Sequence, residues 1–312
     1  MTLNNNKVWQ AHAAILFANL AWALMAPVSK SILLGGAVSP LALSGIRILG
    51  GALLFAIVAL FFPHDEFFNQ KVRKEDWWKI LLCSIMMISA NQGLYIIGVG
   101  FTNPVDASVM SALTPILTML LAAIFLRFPI TWMKGSGVAI GLTGVLILVL
   151  GSQRGATASN PMLGDSLCFT AQLCAASYYV AFRNFITRYS PFTLMKWMFI
   201  ISAVTYVPIC IPSMLKVDFS ALGINIWLEL AYIICFATFL GYLAIPFAQK
   251  YLSPTSVSMY CYFQPVGATI ASVMMGVGSF SLLKGVATLL IFAGVFFVNK
   301  STSTLTPKDT LK

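Results

Sequence analysis

The chain has 312 residues, of which 59% are hydrophobic and only 9% charged, against roughly 25% charged and 45–50% apolar in a soluble domain. So few polar side chains cannot build a water-facing shell, which excludes a cytosolic enzyme, a disordered protein and a small disulfide scaffold. The net charge of +10 comes without a basic run long enough for nucleic acid; its densest stretch, Lys71, Arg73, Lys74 and Lys79, reads as a loop kept on the cytoplasmic side of a membrane.

A helix crosses a bilayer with about 20 apolar residues. Such stretches recur at 9–29, 39–62, 77–98, 104–126, 133–151, 164–187, 192–214, 226–248, 254–277 and 281–299. They are continuous, without the alternation of barrel strands. The prediction is an all-α membrane protein of about ten transmembrane helices. The first stretch lacks a small-residue cleavage site and is expected to stay as a helix. The six cysteines all fall in apolar stretches without a CxxC pair and read as small buried hydrophobes.

Polar residues deep in the spans are the informative ones, because a helix lining a wet path must show polar atoms on one side. The first stretch offers Asn19 and Trp22, three apart on one face; the third offers Asn91 and Tyr95, with Gln92 beside them. The fourth carries a stripe of Ser111, Thr114 and Thr118. The sixth has Gln172 and Tyr179 with Tyr178 adjacent, the eighth Tyr242, and the ninth Tyr260 and Gln264. The candidate substrate-binding set is Asn19, Trp22, Asn91, Tyr95, Thr114, Gln172, Tyr179, Tyr260 and Gln264. Hydrogen-bonded glue between packed helices accounts for the same residues, and both readings stay open here. Arg47, about eight residues into the second stretch, must pair, snorkel, face water or hold an anionic group. No carboxylate sits near mid-membrane: Asp106, Asp165 and Glu229 all fall near the outer span ends. That argues for facilitated transport or exchange over carboxylate-based proton coupling. Trp77 and Trp78 read as interfacial belt residues.

The two halves of the chain match. At an offset of 150, Pro104 falls on Pro254, Pro115 on Pro265, Ser108 on Ser258, Lys134 on Lys284, Gly135 on Gly285 and Gly144 on Gly294. Near the start of each half ANLAWALM (18–25) lies over AQLCAASY (171–178), pairing Asn19 with Gln172, and Ser39-Pro40 lies over Ser190-Pro191. Thr114 pairs with Gln264, whereas Arg47 falls on Met198. Five helices per half is an odd number, so the second half enters from the opposite side: an inverted repeat of the transporter kind. The expected units are 1–152, 153–300 and a polar cytoplasmic tail, 301–312. With the N-terminus inside, fourteen of the 19 Lys and Arg residues lie inside and four outside, with Arg47 within a span, so both termini are expected in the cytoplasm. Pro115 and Pro265 are symmetric and near mid-span, which makes them candidate hinges. The GVAIG of 137–141 is a GxxxG, read as packing within the molecule ahead of dimerisation.

Several segments in order resemble the EamA-type, ten-helix members of the drug/metabolite transporter superfamily. They are AWALMAPVSK (21–30), SPLALSGIR (39–47), NPVDASVMSALTPILTMLLAAIFL (103–126), KGSGVAIGLTGVLIL (134–148), GDSLCFTAQLCAASYYVAFR (164–183) and SPTSVSMYCYFQPVGA (253–268). The resemblance covers about residues 12–299 and implies a path between the halves for small organic solutes. Many members place a glutamate just after the fourth and ninth helices; Phe128 and Gly278 stand there in this chain, which puts any role tied to that carboxylate in question.

The resulting expectation is a secondary transporter or facilitated exporter of small organic metabolites, amino acids or related compounds first, working by alternating access. A channel or a membrane-embedded lipid enzyme is the alternative. With no P-loop, HExxH, GxSxG or cysteine–histidine cluster, neither catalysis, cofactor nor metal is expected. The expected partners are a small-molecule substrate and the lipid bilayer of the inner (plasma) membrane, without nucleic acid, the protein being a monomer or homodimer.

Overall fold

The computed structural model describes residues 5–34, 36–101, 110–150, 160–274 and 282–303. These are helical throughout apart from short connections, in ten passes. The first is Asn5–Leu34 and the second Pro40–Phe61. The third runs through Trp77–Ser84, a π-helical stretch Ile85–Ala90, and Asn91–Phe101. The fourth is described from Met110, with its main helix Thr114–Phe125, and the fifth is Trp132–Leu150. The sixth is Pro161–Ala181. The seventh breaks into Pro191–Thr205 and Val207–Met214. The eighth runs through Ile224–Tyr232, π-helical Ile233–Leu240 and Gly241–Gln249. The ninth is Pro254–Met259, a 3₁₀ turn Tyr260–Tyr262 and Phe263–Met274; the tenth is Leu282–Ser303.

Helix starts follow the local chemistry. Ser39, Asn160, Ser190 and Ser253 each precede a proline, and each side-chain oxygen accepts from the backbone N–H three residues on. Proline lacks the N–H that would be orphaned at a first turn, and the cap satisfies another. Breaks follow too. Pro208 cannot donate to the carbonyl four residues back, and the seventh pass bends by 59° just before it. Both candidate hinge prolines lie just past an interruption, a turn at Leu113 and the 3₁₀ turn Tyr260–Tyr262. Their positions as breaks are structural; their movement is not. The helix of the first pass runs unbroken through residue 27, so the proline there does not end it.

The packing is symmetric between the halves. The first pass lies against the eighth and ninth, and correspondingly the sixth lies against the third and fourth. The second meets the seventh, the fourth meets the ninth, and the fifth meets the tenth. Exchanging each pass for the one five later leaves this pattern unchanged. Large apolar side chains such as Leu60, Ile124, Trp132 and Leu282 stand exposed on the outside, as lipid-facing helices require. Four unbroken helices, five with the bent pair, are long and apolar enough to cross a membrane by those criteria alone. The six cysteines are all free thiols.

The fifth and tenth passes cross backbone to backbone. A Cβ added at Gly294 would stand 2.6 Å from the Gly137 carbonyl oxygen, and one at Gly144 2.6 Å from that of Ala287. Gly144 and Gly294 are repeat equivalents, as are Gly137 and Ala287, so these are two copies of one contact. The GxxxG of the fifth pass therefore packs within the molecule.

Candidate functional site

The polar residues of the midline pair across the halves. In the seam of the first and ninth passes, Gln264 Nε2 donates to Asn19 Oδ1 at 3.0 Å, while Asn19 Nδ2 donates to the Ile15 carbonyl at 2.8 Å. In the equivalent seam of the sixth and fourth, Thr114 Oγ1 lies 2.9 Å from Gln172 Oε1 and 2.7 Å from the Ser111 carbonyl. That carbonyl is the one Pro115 leaves without its helical donor. Asn19 and Gln172 are repeat partners, as are Gln264 and Thr114, so one interaction is built twice. Tyr95 lies beside Ser111 in the second seam. Tyr260 lies 2.7 Å from His12 Nδ1 in the first.

Two candidates make their bonds at the π-helical stretches, one to a carbonyl inside a stretch and one from a residue directly after a stretch. Trp22 Nε1 donates to the Ala237 carbonyl at 2.7 Å, inside the π segment of the eighth pass. Its ring packs edge-on against Tyr242, with centroids 5.5 Å apart. Asn91, directly after the π segment of the third pass, donates to the Ala171 carbonyl at 2.9 Å. A π turn leaves the ordinary i to i+4 ladder, so such stretches offer carbonyls to neighbours and recur at functional sites. Tyr179 is buried against Tyr178, and its carbonyl accepts from Gln249 Nε2 at 3.2 Å. Seven of the nine candidates thus have side chains bonded to another pass, and Tyr95 stands beside Ser111. Tyr179 is held by packing.

Three features lie outside the candidate set. Arg47 is 2% exposed, and its Nε donates to Thr238 Oγ1 at 3.3 Å. Gln92, 3% exposed, has no hydrogen bond at either amide atom among the described residues. The third feature is a clamp where the loop after the second pass meets the start of the seventh. Lys196 Nζ donates to Asn69 Oδ1 at 2.6 Å and to the Phe68 carbonyl at 3.0 Å, and Gln70 N donates to Thr193 Oγ1 at 3.1 Å. Tyr189 donates to Asp76 Oδ2 at 2.7 Å. Burial and the adjoining carboxylate push the Tyr189 hydroxyl above its ordinary pKa, so it stays a donor. An open cleft beside this clamp is lined by Glu66, Gln70, Arg188, Tyr189 and Lys250.

The EamA-like transporter family model matches residues 9–150 and again 162–300. The chain belongs to the EamA-like transporter family. Within the drug/metabolite transporter superfamily it is similar to an uncharacterized transporter, YyaM, of Bacillus subtilis (strain 168), at 24% identity over 78% of this chain and 80% of that one. It is also similar to an uncharacterized transporter of Archaeoglobus fulgidus, at 23% identity over 83% and 88%. A probable terminal-alkyne amino-acid exporter of Streptantibioticus cattleyicolor is 25% identical over 95% of each chain. A solved crystal structure superposes with a TM-score of 0.76 over 94% of this chain and 98% of its own, at 18% identity, which establishes the fold. This EamA-like chain is therefore a membrane transporter. After the fourth pass, Phe128 takes the Arg183 guanidinium over its ring at 4.9 Å. The corresponding Gly278 lies outside the described residues, as do Asp106 and Pro104.

Proposed function

We propose that this protein is a secondary transporter or facilitated exporter of small organic metabolites, amino acids or related compounds first, in which the two halves alternate access to a shared midline site. The observation that carries this reading is the doubled seam, Asn19–Gln264 and Gln172–Thr114. Interhelical hydrogen bonds of this kind contribute about 0.6 kcal/mol each, close to thermal energy. Seams held this way separate and re-form without unfolding, while the glycine crossing of the fifth and tenth passes holds the halves together. Trp22, Tyr95, Tyr179 and Tyr260 supply flat apolar faces with polar tips, suited to an amphipathic cargo. The similarity to a probable terminal-alkyne amino-acid exporter supports the substrate class. The basic-residue asymmetry supports an inner-membrane orientation with both termini in the cytoplasm.

Flux of labelled metabolites into liposomes holding the purified protein, at several pH values, tests the reading. Saturable flux with counterflow is expected; non-saturating flux would make it a channel. Tyr260→Ala and Asn91→Ala should each slow flux with melting behaviour retained, and unchanged flux in both removes them from the site.

A further inference from the structure

A buried cation and a buried amide both border Tyr242 where the halves meet. Arg47 of the second pass lies within electrostatic reach of Tyr242, and Gln92 lies beside the Tyr242 hydroxyl. Gln92 and Tyr242 are 150 residues apart and so are repeat equivalents; their proximity places them near the pseudo-two-fold axis. Each follows a π-helical stretch, Ile85–Ala90 or Ile233–Leu240. Thr238 of the second stretch takes the Arg47 Nε–H. Trp22 and Phe199 pack edge-on against Tyr242, each with centroids 5.5 Å away.

The charges do not balance. A guanidinium presents five N–H donors, and among the described residues Arg47 makes one hydrogen bond and no ion pair. Gln92 stands against the Tyr242 hydroxyl without a hydrogen bond of ordinary geometry at either amide atom among the described residues. A buried cation with unused donors and a buried amide with no more than a weak partner are each costly in a packed interior, and here the two share one Tyr242 neighbour. Static packing would be served as well by apolar side chains, as at Met198, which occupies the repeat position of Arg47.

We infer that Arg47 and Gln92 form the anion-binding end of the transport site and receive the carboxylate of the cargo, Arg47 through its unused N–H donors and Gln92 through its amide N–H. This deepens the transport reading and rests on it. A carboxylate matches the geometry, because a planar guanidinium grips it bidentately. It also matches the count: one cation neutralises one monoanion, whereas a phosphate dianion would leave a charge in an apolar site. The rings of Trp22, Tyr242 and Phe199 border the same end, so the cargo is a monocarboxylate with an apolar body.

The test uses purified protein with phenylacetate, phenylpropionate and their carboxamides, at matched ionic strength. It reads thermal stabilisation in detergent and counterflow in liposomes. Both carboxylates should stabilise the wild type and the carboxamides should not. Arg47→Gln should weaken carboxylate binding by about thirtyfold or more, the loss expected for one partner of a buried charge pair. Gln92→Glu guards against a misfolded Arg47 variant. It supplies an internal carboxylate, so it should melt no lower than wild type and yet lose both probes. Equal stabilisation by carboxylates and carboxamides, no stabilisation by either carboxylate, or full carboxylate binding by Gln92→Glu overturns the proposal. Flux without preference for carboxylates overturns it while leaving transport standing. Carboxylate binding that Arg47→Gln abolishes, with no flux of any probe, upholds the anion site and overturns the transport reading.

Discussion

Replacing Gly294 with alanine tests the crossing on which the two halves are fixed. In an exposed helix interior the change would stabilise by up to about 1 kcal/mol, since alanine is the better helix former. At Gly294 the new Cβ would stand 2.6 Å from the Gly137 oxygen and the Gly141 nitrogen, and 2.7 Å from the Gly141 Cα, where ordinary contact begins at 3.4 Å. All three are backbone atoms, so no side chain can rotate away. The tenth pass must shift by about 0.8 Å, the difference between those two distances. A gap of 0.5–1 Å forfeits roughly a quarter to a half of the dispersion energy of each contact it opens. Overpacking of this kind costs about 1–3 kcal/mol, which exceeds the propensity gain, so Gly294→Ala should melt below wild type in detergent. Gly135 lies in the same fifth pass with Ile130 as its nearest neighbour, at 3.9 Å; Gly135→Ala should melt at or above wild type. Thermal melting followed by tryptophan fluorescence reads both. Equal or higher melting of Gly294→Ala would refute the close crossing.

Three further outcomes are expected. Trp22→Phe keeps a ring beside Tyr242 but leaves the Ala237 carbonyl unpaired, costing about 1–3 kcal/mol; unchanged melting would show that this bond contributes nothing. A double-mutant cycle of Asn19→Ala with Gln264→Ala should give a coupling of about 0.6 kcal/mol, and the Thr114–Gln172 cycle a similar one; zero in both would sink the seam. Lys196→Met removes the charged donor to Phe68 and Asn69 and should speed amide exchange across residues 66–73, while Tyr189→Phe should do the same through loss of Asp76. Because the Tyr189 pKa lies above its ordinary value near 10, its contribution is complete at neutral pH and fades only as the pH rises past that range.

Fold was legible where the signal is additive. Long apolar runs, Ser-Pro starts and matched prolines each repeat across many residues, and together they yield ten passes with matching halves. The polar set was legible as residue types on faces, but its pairing was not: that Asn19 meets Gln264 depends on how two helices cross, which periodicity does not encode. The π-helical stretches left no mark on the sequence, because IMMISA and IICFATFL read as ordinary apolar helix. Without them Gln92 and Tyr242 cannot be seen to converge. Arg47 was visible as an anomaly, a charge within a span whose repeat position holds Met198. The anion site proposed above lies on the pseudo-axis, where one cation serves both halves, so it does not require a repeat partner for Arg47.

The contacts that break the symmetry point to where the two faces differ. The midline seams and the glycine crossing are each built twice, so they favour neither face. The loop after the second pass is gripped by the seventh through Lys196, Thr193 and Tyr189. Its counterpart after the seventh closes on itself, with Asp218 accepting from Ser220 and Ala221. His12 reaches Tyr260 in one seam, whereas the repeat equivalent of Tyr260 is Met110, which has no hydroxyl to offer. The orientation proposed from the basic residues places both unmatched ties on the cytoplasmic face. Each charge-assisted bond contributes about 1.5–3 kcal/mol, several times a seam bond. Under the alternating access proposed above, opening toward that face would break more than opening away from it, and a handful of unduplicated residues would set the resting side of a duplicated architecture.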